Sequence, residues 1–434
     1  MPAFDRIAYA LAGFAAGLFY RRALLGGEVP PAGPVLLVGN HPNGLVDPIF
    51  LVGATPRPVR FLGKAPLLAM PVLGPILRGL GTLPVYRTRD GFDTAANEST
   101  FQAVYAALAA GDVVGLFPEG TTHGAPGLQE LRTGAARMAL GAEAAAGYDL
   151  GVRVVPVGLS FRRKNRFRSH AAAWVGEPID AREFAALHRT DERAAVRALT
   201  ERIAQGLRAV TLELDRWEDL PLLELAQRIR GGAGASVERL KRVADGARAL
   251  RAHDPSALSG LAADLADFGR RLERLRAEPE DLDRRYSVST IARFAALNAA
   301  ALCCGLPLAF LGGALWWLPY RLTPRLARFG RPDPETFATT ILAAATVLFP
   351  LWWLALVALA GVLWGLWAAA LSAVLAPALG LFALAFWERR AEAAADLMVF
   401  LRLGLKRRLK DELLRERSVL AERIEALERE LRTT

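Results

Sequence analysis

The sequence predicts an α/β domain with a mostly parallel sheet, then a helical appendage and an α-helical membrane region. Three observations carry this prediction. Short β-rich runs alternate with alanine-rich helical stretches between about residues 33 and 178. From roughly 180 to 290 the texture turns helical and charged. Beyond that, residues 292–318 are almost free of charge and residues 338–387 carry none. The expected divisions are an N-terminal interfacial helix (1–30), the α/β domain (31–215), the appendage (216–290), the membrane region (291–390) and a charged C-terminal helix (391–434).

The apolar run 7–19 is too short to span a bilayer and ends in Tyr20-Arg21-Arg22. An interfacial helix with its arginines at headgroup level fits it better. It has no small-residue cleavage pattern, so a signal peptide is not expected. Strands are predicted at 34–39, 59–62, 82–86, 113–117, 152–159 and 172–176, with helices over 93–110 and 130–147 between them. Strands alternating with helices favour a parallel sheet, whose sites gather at the carboxyl ends of its strands.

Residues 338–387 are long enough for two helices across a roughly 30 Å core, with the turn near Gly361 or Gly365. The linker 319–337 carries Arg321, Arg325, Arg328 and Arg331. A single crossing by 292–318 would put those arginines outside, against the positive-inside tendency. The expectation is therefore a re-entrant hairpin over 292–318, kinked at Gly305-Leu-Pro307 or Gly312-Gly313, with the termini and the α/β domain on the cytoplasmic face. In the tail, Leu413, Leu420, Ile424, Leu427 and Leu431 form either a short coiled-coil seam, open to a homodimer, or a helix lying on the appendage.

A net charge of +10 favours anionic partners. Arginines beside apolar segments point to a phospholipid membrane, and no nucleic-acid-binding pattern is present. The adjacent Cys303 and Cys304 read as small hydrophobes. The Ala/Arg/Leu-rich composition is compatible with a GC-rich bacterial genome, hence with a bacterial cytoplasmic membrane.

Chemistry concentrates in "LLVGNHPNGLVDPIF", residues 36–50. Imidazole suits proton abstraction near neutral pH, and a carboxylate fixes its tautomer. With no GxSxG elbow in the chain, His41 and Asp47 point to activation of a substrate hydroxyl. On an ideal helix the two could not pair. They could meet if a turn opened by Gly44 brought Asp47 back, with Pro48 biasing Asp47 away from the α region. In "VVGLFPEGTTHG", 113–124, a strand runs into a polar loop that could present N–H groups and hydroxyls to an anion. Lys64, Arg87 and Arg132 could clamp a phosphate.

Asn40-His41…Asp47, Gly81-Thr-Leu-Pro-Val-Tyr-Arg87, Phe117-Pro-Glu-Gly120 and Val154-Val-Pro156-Val resemble the four ordered blocks of the PlsC-type glycerophospholipid acyltransferases. The resemblance covers about residues 25–180. It implies acyl transfer from acyl-CoA or acyl carrier protein to a glycerol phosphate, with no cofactor or metal. By the resemblance His41 is the general base and Asp47 its partner. Asn40, Lys64, Gly81, Arg87, Glu119, Gly120, Thr121, His123 and Arg132 would hold the phosphorylated acceptor, and Val155 and Pro156 would belong to the acyl-binding region.

Two departures stand out. Five residues separate His41 from Asp47 where the family commonly has four, and Thr122-His123 replaces the usual Arg-Ser of the third block. Arg132, Lys64 or His123 would then cover for the missing arginine. The longer spacing is similar to the fungal enzymes acting on glycerol 3-phosphate and dihydroxyacetone phosphate, which favours the sn-1 step, with the lysophosphatidate sn-2 step as runner-up. The rivals are a metal-dependent hydrolase using His41, Asp47, Glu119 and His123, which no ligand spacing supports, and a catalytically inactive lipid-binding membrane protein.

Overall fold

The computed structural model describes residues 3–71, 73–86, 97–231, 237–283, 288–329, 333, 336–405 and 407–433. The chain divides into two compact units, Met1–Glu213 with Arg331–Leu342, and Leu214–Gly330 with Ala343–Thr434.

The first unit is built on one sheet. Its strands are β1 (Tyr20–Gly26), β2 (Val35–Gly39), β3 (Val59–Lys64), β4 (Leu83–Val85), β5 (Val113–Leu116), β6 (Arg153–Phe161), β7 (Ser169–Val175) and β8 (Ile179–Asp180). They lie in the order β1-β7-β6-β2-β5-β3-β4, with β8 on β6. The β6–β7 and β6–β8 pairs are antiparallel and the others parallel. The helices are α1 (Ala3–Phe19), α2 (Val46–Gly53), α3 (Ala65–Leu68), α4 (Leu73–Gly79), α5 (Asn97–Ala109), α6 (Gly134–Ala145), α7 (Ala185–Thr190) and α8 (Glu192–Val210). Central strands β2 and β5 are buried along their whole length, as an apolar run flanked by helices should be. Leu108 of α5, Leu140 of α6 and Leu199 of α8 close over Leu36, Val38 and Val154 in the main core.

All six expected strands form, and β1 and β8 are additions. Tyr20-Arg21-Arg22, at the end of the N-terminal helix, opens edge strand β1, where Arg21 pairs with His170 of β7. An edge tolerates cations because its outer side faces no neighbouring strand.

The second unit is helical: α9 (Leu220–Gly231), α10 (Val237–His253), α11 (Pro255–Leu275), α12 (Val288–Phe329), α13 (Phe337–Trp364, from Ala343 onward), α14 (Leu366–Leu405) and α15 (Arg407–Thr433). Of the two arrangements expected for the tail, the described residues show the helix lying on the appendage. Leu413, Leu420 and Ile424 of α15 pack with Leu261, Leu265 and Phe268 of α11 and Ile229 of α9. Arg271 bonds to Glu412 and Glu416 at 2.9 and 2.6 Å along the rim.

The hairpin expected over 292–318 is absent. α12 is unbroken across 42 residues with Pro307, Pro319 and Pro324 inside it. Its glycines serve packing rather than a turn. A Cβ on Gly312 would lie 2.1 Å from the Leu379 carbonyl oxygen of α14, and one on Gly305 would lie 2.6 Å from the Phe386 ring. The helices meet where side chains are smallest, as apolar helices do. Trp316 donates its indole N–H to the Ala376 carbonyl at 2.8 Å, so that this polar group is satisfied. Gly312→Leu should therefore force α12 and α14 apart at a cost of about 1–3 kcal/mol. Gly313→Leu, whose Cβ would meet only Trp387 Nε1 at 3.9 Å, should be tolerated. Thermal unfolding of the two variants in the same detergent checks the contrast.

The turn between α13 and α14 falls at Gly365, whose φ of +87° suits glycine. Phe337–Trp364 and Leu366–Arg390 are long and apolar enough to cross a membrane, and only 6% and 17% of their most apolar windows are buried. Such exposure fits lipid contact and not the core of a soluble domain. Val362, Trp364, Leu366 and Trp367 all lie exposed around the turn.

Candidate active site

His41 follows the carboxyl end of β2, the place where an open parallel sheet offers a crevice. The segment is fixed first by Asn40. Its amide donates to the Leu159 carbonyl at 3.0 Å and accepts from the Leu159 N–H at 2.6 Å, locking the loop to β6. Gly44, at φ +55°, turns the chain into α2, where Asp47 sits in the first turn. Asp47 is thus helical despite Pro48. A proline in the first turn lacks only an N–H that would have had no helical partner.

The bend brings the pair together. His41 Nδ1 and Asp47 Oδ2 are 2.8 Å apart, and Asn43 N–H donates to the same oxygen at 2.7 Å. Asp47 is wholly buried, and burial pushes its carboxyl up from the ordinary range. The hydrogen bond and charge of His41, then Asn43 N–H, oppose that rise. The imidazole stacks on Phe117, with centroids 4.1 Å apart and planes 8° from parallel. Position, tilt and tautomer are all set: Nδ1 carries the proton toward Asp47, leaving Nε2 to accept one.

Glu119 holds the third-block loop to the first. Its buried carboxylate accepts from His41 N–H at 2.8 Å, His123 Nε2–H at 2.8 Å and Gln129 N–H at 2.9 Å. His123 N–H also donates to the His41 carbonyl at 3.2 Å. Because His123 Nδ1 accepts from Ala125 N–H at 3.2 Å, both its ring nitrogens are committed within the protein. His123 is therefore a poor stand-in for the missing arginine, whereas Arg132 lies beside Gly120, whose φ is +69°.

The other expected residues are spread out. Thr121 is half-buried in the same loop, and Lys64 is exposed at the end of β3. Gly81 adopts φ +70° beside Arg60. Arg87 lies outside the described residues. Val155 and Pro156 are paired to Leu37 and Val38 inside the sheet, and Pro156 packs on Gly176 and Gly206. Both are buried in the core. Among the described residues no group of three or more His, Cys, Asp or Glu side chains could hold a metal.

Four residues were not anticipated. Buried Asn43 donates its amide to the Tyr20 hydroxyl at 3.1 Å, and Tyr20 donates in turn to the Lys164 carbonyl. Burial pushes the Tyr20 phenol well up, so it stays a donor. Lys164 Nζ donates to the Pro42 carbonyl at 3.0 Å. Thr339, in the opening turn of α13 that belongs to the first unit, accepts from Leu45 N–H at 3.1 Å through Oγ1. Leu45 is the N-cap of α2 and has no polar side chain of its own. Thr339→Val should cost about 1–2 kcal/mol, in the range of a lost cap, and Thr339→Ser should recover most of it. Thermal unfolding of the pair, with turnover measured alongside, checks this.

Residues 25–160 match the family model described as Acyltransferase. Over 134 residues the chain is 37% identical to glycerol-3-phosphate O-acyltransferase 2 of Saccharomyces cerevisiae, covering 31% of this chain and 18% of that protein. Glycerol-3-phosphate O-acyltransferase 1 of the same yeast is 33% identical over 132 residues, covering 30% and 17%. The matched segment thus spans under a fifth of each curated relative. Both are yeast proteins, which lends no support to the bacterial membrane that composition pointed to. Among solved structures, the 1-acyl-sn-glycerophosphate acyltransferase PlsC of Thermotoga maritima is similar at 18% identity and a TM-score of 0.35, covering 49% of this chain and 82% of that one. In the first unit the first and third sequence blocks are joined directly through Glu119 and His41.

Proposed function

We propose that the chain is a membrane-bound glycerophospholipid acyltransferase, moving a fatty acyl group from acyl-CoA or acyl carrier protein to the hydroxyl of glycerol 3-phosphate. The observation that carries this is the His41–Asp47 pair at the carboxyl end of β2. Identity to yeast enzymes named for glycerol 3-phosphate supports the acceptor, and the two apolar helices support the membrane.

His41 Nε2 takes the proton of the acceptor hydroxyl as its oxygen attacks the thioester carbonyl. Asp47 holds Nδ1–H and stabilises the imidazolium that forms. When the tetrahedral intermediate collapses, the carbon–sulfur bond breaks and the thiolate recovers that proton from Nε2. The products are an acyl ester and a free thiol.

Thiol release from acyl-CoA is the test, with glycerol 3-phosphate, dihydroxyacetone phosphate, lysophosphatidate and other lysophospholipids as acceptors. Release that depends on glycerol 3-phosphate supports the proposal. Release with lysophosphatidate alone moves the enzyme to the sn-2 step. Lipid binding without release from any acceptor would sink the catalytic reading.

A further inference from the structure

The turn between β6 and β7 has no role in the chemistry above, yet it is the most cationic stretch of the first unit. Residues 161–170, Phe-Arg-Arg-Lys-Asn-Arg-Phe-Arg-Ser-His, hold four arginines, one lysine and no carboxylate. Arg162, Arg163 and Arg166 are exposed. His170 at its end feels the positive charge of Arg21, Arg162 and Arg168, which, after burial, depresses its basicity.

Its placement is specific. β6 runs parallel to β2, with Val157 opposite Gly39, so the turn leaves the same end of the sheet as the His41 loop. Lys164 spends its ammonium on the carbonyl of Pro42, the residue after His41. The Tyr20 hydroxyl fixes the Lys164 carbonyl, and Arg168 N–H donates to the Phe19 carbonyl at 2.6 Å. The turn is therefore anchored at both ends, and Arg162, Arg163 and Arg166 are exposed residues on it. Guanidinium forks match phosphate geometry, and crowding like charges on one turn costs free energy that a bound dianion offsets.

We propose that Arg162, Arg163 and Arg166 form a binding site for a phosphate group of a substrate. The inference rests on the acyltransferase reading, in which both acceptor and donor carry phosphate. The test uses the full chain in detergent and measures calorimetric binding of three probes: glycerol 3-phosphate, lysophosphatidate and adenosine 3′,5′-bisphosphate. The variant R162A/R163A/R166A should weaken at least one probe by about tenfold, the combined worth of several exposed charge contacts. The control R193A/R197A/R202A, which removes three exposed charges from α8, should weaken it by less than about twofold. Loss of the first probe names the free acceptor, of the second a lipid headgroup, and of the third the donor. Equal weakening by both triple variants, unchanged binding, or no binding of any probe to the wild type overturns the site. The two readings fail separately. A wild type that releases no thiol sinks the acyltransferase reading while the probe measurements still decide the site, and intact thiol release with unchanged probe binding sinks the site alone.

Discussion

His41→Ala is expected to lower turnover by about 10²–10⁴-fold, the usual worth of a positioned general base. Stacking on Phe117 and the bond to Asp47 mean that the imidazole is held before substrate arrives. Its loss should therefore appear in kcat, with acceptor KM little changed. A variant that keeps more than about a tenth of the wild-type rate would not be missing its base. Stability adds a second readout. Asp47 is fully buried, its carboxyl is already raised by that burial, and His41 is the main influence holding it down. Without His41 it rises further. A carboxyl raised in the folded state gives stability that is complete below its unfolded value and is lost as pH climbs through the folded one. The stability gap between wild type and His41→Ala should accordingly be wider near neutral pH and close on acidification toward the ordinary carboxyl range. Unfolding measured across that window checks the sign.

How much of this was visible in the sequence depends on the range of the interactions. β2, β5 and β6 were legible because a doubly covered parallel strand must be an unbroken apolar run. The His41–Asp47 pairing followed from turn chemistry across six positions, although Pro48 proved compatible with a helical Asp47. Glycine carries two meanings, and that ambiguity hid α12. Gly305 and Gly312 read as a break, but they are the low points over which Phe386 and the Leu379 backbone pass. The same ambiguity did no harm at Gly365, where a positive φ truly ends a helix. Contacts distant in sequence left no trace at all. Thr339 reaches Leu45 across 294 positions, and nothing in a Thr-Thr at the head of an apolar helix announces it. Lys164 had a signal, five cations in seven residues without an acid. Glu119 was visible by type but not by role, because a carboxylate in a strand-end loop looks the same whether it meets ligand or backbone.

That last ambiguity can be settled by Glu119→Gln, which keeps the volume and changes only the hydrogen-bond sense. Among the described residues the partners of this carboxylate are donors: His41 N–H on Oε2, and His123 Nε2–H with Gln129 N–H on Oε1. The His123 proton cannot move aside, because Nδ1 already accepts from Ala125. A glutamine amide has one accepting oxygen and one donating nitrogen. Set one way, its NH₂ opposes His41 N–H; set the other way, it opposes His123 and Gln129. Either arrangement buries unmet donors, at about 1–3 kcal/mol each, so a loss of roughly 2–4 kcal/mol is expected in unfolding measurements. His41 moves with its N–H, and a displacement near an ångström can cost on the order of 10²-fold in rate. A glutamate that instead contacted an acceptor hydroxyl would shift KM and leave stability alone. Joint loss of stability and kcat at constant KM assigns Glu119 to positioning, because an acid sealed among protein donors can act on substrate only through the residues it holds.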